Sequence, residues 1–496
     1  MDSLIRRLPK LPPKSERNAG HSNPFKIFGM LTPLMWAFFF TGWFAWVCDA
    51  IDFFAMSLST ARLATYFHRQ VSQVTLSITL TLLFRPLGAF MFGLAGDRYG
   101  RKWPLVINMA ILSFLSLGTG FVRNWSAFLA LRSLFGCAMG GVWGLAVSQS
   151  LENMPVEARG IFSGFLQLGY PVGYLIIAAI NLEKTVAMAG NWRYLFWIGA
   201  GFAMASAILR LLVPESTYFA ERKKLLHQQR QQNPQDQSYT HQNWVFAKEL
   251  FRMLRKDWAL CVFGIVFMTA FNFYSHGSQD LYPTYIQKGK GLSQMAATKT
   301  TIIGNVGAIA GCTVGGYVSQ YLGRRLTIIV MCLFCCAMLP LWLLPNTFGG
   351  LAAGAFFVQA GVQGAYGVVP VYLSEISPPA FRAMWPGVAY QLGNMISSAA
   401  AQIEATAGEK LKTSSGLPDY GKVSAILIAV AAGVLILCCL IGMEDHGARF
   451  EKGQAAFEVG AGDQRNARTH EAEPHDEEDG LEKSGVQHVE HVTSRV

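Results

Sequence analysis

Apolar positions along this chain fall in long continuous runs, neither confined to one helix face nor alternating with polar ones. Runs of about 20 residues lie near 34–56, 72–95, 103–122, 126–150, 160–182, 193–213, 259–286, 297–320, 326–344, 349–373, 384–406 and 422–443. That is the length a helix needs to cross about 30 Å of hydrocarbon. A transmembrane β-barrel would alternate about every second residue, and these runs do not. Gly and Pro recur inside them, which a bilayer protein tolerates because neighbouring helices re-satisfy the freed backbone groups. The pattern predicts an all-α polytopic membrane protein with twelve transmembrane helices. Residues 1–33 carry Pro and Lys/Arg but no short apolar core ending at a small-residue cleavage site, so no cleavable signal peptide is expected.

Composition agrees with the pattern: 52% of the residues are apolar and 15% charged, against about 25% charged in soluble domains. The placement of Lys and Arg then sets the orientation. Arg6, Arg7, Lys10, Lys14, Arg17, Lys26, Arg98, Arg101, Lys102, Arg159, Arg222, Lys223, Lys224, Lys248, Arg252, Arg255, Lys256, Arg324, Arg325 and Arg382 all fall on one side. That side has roughly twice as many basic residues as the other, which places both termini and the central loop in the cytosol. The net charge of +10 follows from this topology and suits anionic lipid as a partner; it is no argument for nucleic acid.

Cys48, Cys137, Cys261, Cys312, Cys332, Cys335, Cys336, Cys438 and Cys439 lie inside apolar runs, where cysteine behaves as a small hydrophobe. The Cys332-x-x-Cys335 spacing has no second pair or histidine near it, so neither a metal site nor a cofactor is expected. Asn124-Trp125-Ser126 is a sequon in a turn too short to lift it clear of the bilayer. The Gln-rich central loop at 214–258 and the tail at 444–496, with His470, Glu471, Glu473, His475, Asp476, Glu477, Glu478 and Asp479, read as solvated and largely disordered. Such tails are where cytosolic regulators would bind.

An internal repeat organises the rest. Gly93-x-x-x-Asp97-Arg98-x-Gly100-Arg101-Lys102 joins the second and third runs, and Gly316-x-x-x-Gln320-Tyr321-x-Gly323-Arg324-Arg325 joins the eighth and ninth. Glu152-x-x-Pro155-x-x-x-Arg159 recurs as Glu375-x-x-Pro378-x-x-x-Arg382. Both motifs repeat at one offset of 223 positions, as 316 is from 93. The chain therefore divides into a tail (1–33), a six-helix half (34–213), the central loop (214–258), a second six-helix half (259–443) and a tail (444–496). The loop from Gly93 to Lys102 resembles the cytosolic signature of the major facilitator superfamily. The resemblance implies that the charged groups of both copies latch the cytosolic side while the site faces outward. Gln320 stands where the first copy has Asp97, so the second latch is expected to be the weaker.

Polar groups inside a membrane are costly and by default functional. They comprise Asp49 and Asp52 in the first run, Arg85 in the second and Arg132 in the fourth, the stretch Asn272 to Thr284 in the seventh, and Gln391 and Asn394 in the eleventh. At about 100° per residue, Asn272, His276, Gln279 and Asp280 share one face. A titratable imidazole, a carboxylate and two amides suit a small anion accompanied by a proton, although a purely structural hydrogen-bond network would use the same groups. Arg132, with Gly136 four residues on, is similar to the fourth-span signature of proton-coupled facilitators; a packing residue with an ion partner would look the same.

The stretch from Asn272 to Thr284 fills the pattern N-x-x-S/T-H-x-S/T-Q-D-x-x-x-T at all seven specified positions. It resembles the Jen family of fungal carboxylate–proton symporters, in the sialate–proton branch of the superfamily. That resemblance implies plasma-membrane uptake of lactate, pyruvate, acetate or small dicarboxylates with H⁺. It also implies roles for Arg85, Asn272, His276, Gln279, Asp280, Gln391 and Asn394. Arg85 needs an anionic partner in the empty cavity, expected from Asp280 or Asp49. A substrate carboxylate that took Arg85 would leave that acid to be protonated; Asp49, Asp52, Asp280 and His276 all remain open as the proton site. A sugar facilitator would share Pro214-Glu215-Ser216 and the Glu-x-x-Pro-x-x-x-Arg loops. A drug antiporter would have a largely apolar cavity, and a nutrient sensor would signal through its tail. No nucleophile–base pattern suggests an enzyme.

Overall fold

The computed structural model describes residues 9, 11–12, 24–182, 192–216, 219–220, 239–411, 419–448, 450, 456 and 460–463. The described chain is almost entirely helical. The first span, Pro33–Tyr66, starts with Pro33 at its first position and with the Thr32 hydroxyl accepting from the Met35 amide at 3.3 Å, which answers one of the four free amides of a helix start. Val71–Tyr99 and Lys102–Phe121 form the second and third spans. The fourth and fifth are each in two pieces, Trp125–Gly140 with Val142–Glu152 and Val156–Gln167 with Gly169–Leu182. Arg193–Leu212 completes the first half.

In the second half the seventh span, Trp258–Gln279, is continued by the short helices Tyr282–Thr284 and Tyr285–Gly289. Gln294–Leu322, Arg324–Leu343 and Phe348–Tyr366 with Val369–Ile376 follow. The eleventh span is broken at Ser398 and Ala399 into Met384–Ser397 and Ala400–Lys410. The twelfth is Tyr420–Ile441, capped by Asp419. Eleven of the twelve, jointed ones included, are long and apolar enough to cross a membrane; the eleventh falls short, with a two-residue joint and a polar second piece. The most apolar stretch of the tenth span is 83% buried and that of the ninth 28%, so the tenth runs through the centre and the ninth faces lipid.

Close helix contact depends on missing side chains. A Cβ on Gly88 would collide with the Cys137 carbonyl, and one on Gly311, which is 223 positions later, would collide with the Ala360 carbonyl. The second and fourth spans, and their counterparts the eighth and tenth, thus touch backbone to backbone, where small residues give membrane helices their contact.

Two expectations for the flanking segments need correction. Tyr239–Lys256, within the loop expected to be disordered, is a helix on the basic face. It buries Val245 and Met253, and its Glu249 accepts from the Gly462 amide at 2.9 Å. The beginning of the C-terminal segment also packs there, with Phe450, Ala456 and Ala461 buried. Apolar residues spaced through polar sequence gave these pieces a face to bury. The glutamine run, Arg222, Lys223, Lys224, the acidic and histidine-rich tail, and Arg6, Arg7, Lys10, Lys14 and Arg17 lie outside the described residues.

Candidate substrate cavity and gate

The basic face is closed. Gly100 and Gly323 end the second and eighth spans with φ of 101° and 88°, a region that favours glycine, and each turns the chain so that an arginine starts the next span. Arg101 reaches Glu152 at 2.7 Å and Asp97 at 3.3 Å. Arg324 makes two 2.9 Å bonds to Glu375 and one of 3.1 Å to Gln320. Glu215 accepts from the Arg101 and Lys102 amides at 3.0 and 3.1 Å. Glu444 does the same for Arg324 at 2.5 Å and pairs with the Arg325 side chain at 3.2 Å. A carboxylate at a helix start meets both free amides and the positive end of the dipole. Burial opposes the Arg101 charge, but Glu152 and Asp97 outweigh it and raise the pKa above the ordinary arginine value.

Contacts between the halves seal this face. Asp97 accepts from the Ala383 and Met384 amides at 3.0 and 2.9 Å, and Gly93 leaves room for Met384 against the second span. Gln320 donates to the Val156 carbonyl at 3.2 Å, so the second copy also crosses between halves, through one neutral bond. Arg159 and Arg382, one from each half, stack on the Phe450 ring at 3.7 and 4.3 Å. Arg98 bonds to Asn243 at the surface, and Lys102 lies over Trp103.

Toward the opposite face the halves part around two adjoining chambers of about 390 and 200 Å³. Phe54 and Ser57 of the first span and Gln279 and Asp280 of the seventh line both. His276 and Tyr170 line the larger chamber, together with Ser397 and Gln402 near the joint of the eleventh span. Asn305, Trp342 and Gln359 line the smaller. The cavity therefore opens away from the basic face.

Of the expected site residues, His276, Gln279 and Asp280 line this space. His276 Nδ1 lies 3.1 Å from Asp280 Oδ2, and Gln279 donates to Ser275 at 3.1 Å. Asn272, one turn deeper, is buried; it accepts from Tyr366 Oη at 2.7 Å and donates to the Tyr390 carbonyl. Gln391 and Asn394 bond to each other at 2.9 Å, leaving Gln391 Nε2 without a hydrogen-bond partner among the described residues.

Arg85 departs from expectation. It is buried, with its guanidinium 5.1 Å from the Phe53 ring and one nitrogen 2.6 Å from Met139 Sδ. Among the described residues no carboxylate lies within ion-pair distance of it; Asp280 pairs with His276 instead. Asp49 is within electrostatic reach of Arg85, but neither of its oxygens has a hydrogen-bond partner there. Phe53 stands between Arg85 and the larger chamber, and Leu82, one turn away, lines that chamber. Asp52 turns elsewhere, accepting from Ser116 at 2.7 Å against Gly199. Arg132 is fully buried beside Phe135, and its three nitrogens have no hydrogen-bond partner among the described residues.

Sequence reasoning missed a buried aromatic cluster that reaches the larger chamber through Tyr170. Tyr390 stacks on Trp143 at 4.6 Å, and Trp46 stacks on Tyr170 at 5.7 Å. It also missed Gln359 and Gln363, which bond to Ser278 and Ser275; two amides four apart in an apolar run were the available signal. Glu215 was seen only as part of a sugar-facilitator motif, and Glu444 was not singled out.

A closed charged face and an aromatic, polar cavity between two helical halves define a membrane transporter of the major facilitator fold. The solved structure of the proton:xylose symporter XylE bound to 6-bromo-6-deoxy-D-glucose superposes with a TM-score of 0.65, covering 86% of this chain and 99% of that one at 17% identity. The chain matches the sugar (and other) transporter family over residues 24–457 and belongs to it. A carboxylic acid transporter protein homolog of Saccharomyces cerevisiae is 32% identical over 436 residues, 85% of this chain and 70% of that protein. The sialic acid transporter NanX of Escherichia coli is 25% identical over 418 residues, 82% of this chain and 94% of its own.

Proposed function

We propose that this protein is a plasma-membrane symporter that imports short-chain carboxylic acids with H⁺ by alternating access, with its basic face in the cytosol. The observation that carries this reading is Arg85. A buried guanidinium with no carboxylate at ion-pair distance is costly, and among the described residues Arg85 has none, with Asp49 only within electrostatic reach and a cavity holding an imidazole–carboxylate pair next to its Phe53 neighbour. A substrate carboxylate that displaced Phe53 would give Arg85 its anion through two parallel N–H bonds. The second substrate oxygen, or a neighbouring hydroxyl, would meet His276 and Gln279. The yeast relative's description as a carboxylic acid transporter homolog supports the same substrate class.

Bringing in an anion makes it favourable to bring in a proton as well, since the loaded carrier then crosses with little change in charge. Asp280 faces the cavity and would be protonated once substrate draws His276 away from it. Asp49, beside Arg85 and unpartnered, is the second candidate, because an anion on Arg85 removes its electrostatic support. Asp52, already bonded to Ser116, and His276 follow. In this reading Asn272, Gln391 and Asn394 set the cavity floor, and the Asp97, Glu152, Arg159, Glu375 and Arg382 groups hold the cytosolic side shut.

Uptake of a panel of radiolabelled organic acids tests the proposal. Uptake of at least one short carboxylate should saturate, rise as outside pH falls from 7 to 5 relative to a transporter-null strain, and collapse with a protonophore. Saturable uptake that a protonophore leaves unchanged in energised cells contradicts symport.

A further inference from the structure

One acid that the reading above does not use is buried more deeply than those it does. Glu404, in the second piece of the eleventh span, is 0% exposed. Neither of its carboxylate oxygens has a hydrogen-bond partner among the described residues. It packs against Gly277 of the seventh span, where a Cβ would lie in ordinary contact with Glu404 Oε1 at 3.4 Å and press on Leu427 Cδ2 at 3.1 Å. Gly277 directly follows His276 and is three residues before Asp280, so it sits one turn from Asp280, where Cβ atoms are about 5–6 Å apart. The buried Ser424 hydroxyl of the twelfth span lies beside Glu404 as its one nearby donor, without a fully formed hydrogen bond to it. Among the described residues, the titratable and charged groups that face Glu404 are Asp280 and, through Asp280, His276; the twelfth span offers it only the Ser424 hydroxyl.

We propose that Glu404 is a second proton-binding site of the transport cycle, exchanging its proton with the cavity through the Asp280 carboxylate. The inference rests on the proton-symport reading and adds to it a place where the proton is held out of contact with water.

A buried carboxylate whose one nearby donor is a hydroxyl without a fully formed hydrogen bond is strongly disfavoured, so in this arrangement Glu404 holds its proton. Two acids this close resist being ionised together, and they titrate as a pair. When substrate takes His276, Asp280 accepts a proton from the cavity and the pair becomes neutral. Glu404 can then release its own proton once it reaches water, its charge passing from 0 to −1, and it is restored to neutral by the proton that Asp280 took from the cavity, so that one proton enters and one leaves per cycle. The joint at Ser398 and Ala399 lets the Glu404 segment move against Gly277 without moving the rest of the eleventh span.

The test uses full-length protein in liposomes with radiolabelled lactate, measuring equal-concentration exchange and accumulation driven by a pH gradient. Glu404→Gln should exchange lactate within about threefold of wild type yet lose at least tenfold in accumulation, because the amide cannot release a proton. Glu404→Asp, which keeps an acid in the niche, should recover accumulation. The proposal is overturned if Glu404→Gln accumulates lactate like wild type, if it loses exchange as well, or if Asp and Gln behave alike. A wild type that exchanges lactate but never concentrates it contradicts the symport reading itself, and the inference falls with it.

Discussion

The two halves are near-copies at the basic face and strangers at the cavity. Arg101 with Glu152 and Glu215 recurs as Arg324 with Glu375 and Glu444, down to the carboxylate capping each arginine amide. At the cavity the repeat offset pairs Phe53 with His276, Ser57 with Asp280 and Asp49 with Asn272, while Arg85 and Arg132 correspond to Ala308 and Ala355. Both buried arginines near the cavity therefore come from one half, and the hydrogen-bonded amide and imidazole network comes from the other. Asp49 and Arg132 of the first half have no hydrogen-bond partner among the described residues, whereas His276, Gln359 and Asn272 of the second half are hydrogen-bonded. In the proposed alternating access, closing a face calls for symmetry, because the two halves would rock against each other. Binding one small asymmetric solute needs difference.

The comparison is broken most severely at Arg85. Arg85→Ala should abolish saturable uptake, by at least 100-fold in kcat/KM, with membrane expression intact. Arg85→Lys should restore little, since an ammonium lacks the planar two-bond grip on a carboxylate. Near-normal affinity in Arg85→Ala, measured by competition uptake, would make this arginine structural and move the anion site to Arg132.

A smaller effect separates roles within the second half. His276→Ala should weaken substrate affinity by about 1–3 kcal/mol, the range for one buried hydrogen bond, while pH-driven accumulation persists. Asp280→Asn should keep exchange and lose accumulation. The reverse pattern would exchange their roles, and accumulation that survives in Asp280→Asn but not in Asp49→Asn would move the proton site to the first half.

The smallest expected effect sharpens the likeness at the basic face. Asp97 bridges the halves as a charged acceptor of two amides, and Gln320 does so through one neutral bond. Hydrogen bonds to charged groups are roughly twice as strong as neutral ones. Asp97→Asn should therefore slow initial uptake about tenfold and Gln320→Ala less than threefold. Equal losses would mean that the two latches are equivalent.

Much of this architecture was legible in the sequence. The run lengths gave the helices, and one offset shared by two motifs gave the halves and their gate, since the chemistry of a charged turn is local. The stripe of His276, Gln279 and Asp280 was also legible, because helical spacing alone puts those residues on one face. What the sequence hid was long-range partnering. Nothing near Arg85 in the chain shows that Phe53 and Met139 would flank it, with no carboxylate among the described residues at ion-pair distance. Glu404 reads as an ordinary polar residue near a helix end until the fold is seen to bury it against Gly277 and the twelfth span. The Tyr239–Lys256 helix was hidden by its polar composition, although its apolar residues had the spacing to bury one face.

The central claim is that an anion held between Arg85 and the seventh helix carries a proton with it. It is tested most directly by trapping a pH-sensitive dye inside liposomes containing the purified protein and imposing an inward lactate gradient at equal pH. Internal acidification should be saturable with lactate concentration and exceed that of matched Arg85→Ala liposomes, which report passive entry of the undissociated acid. Acidification equal to the Arg85→Ala control, in wild-type liposomes that still take up radiolabelled lactate faster than that control, would contradict the account.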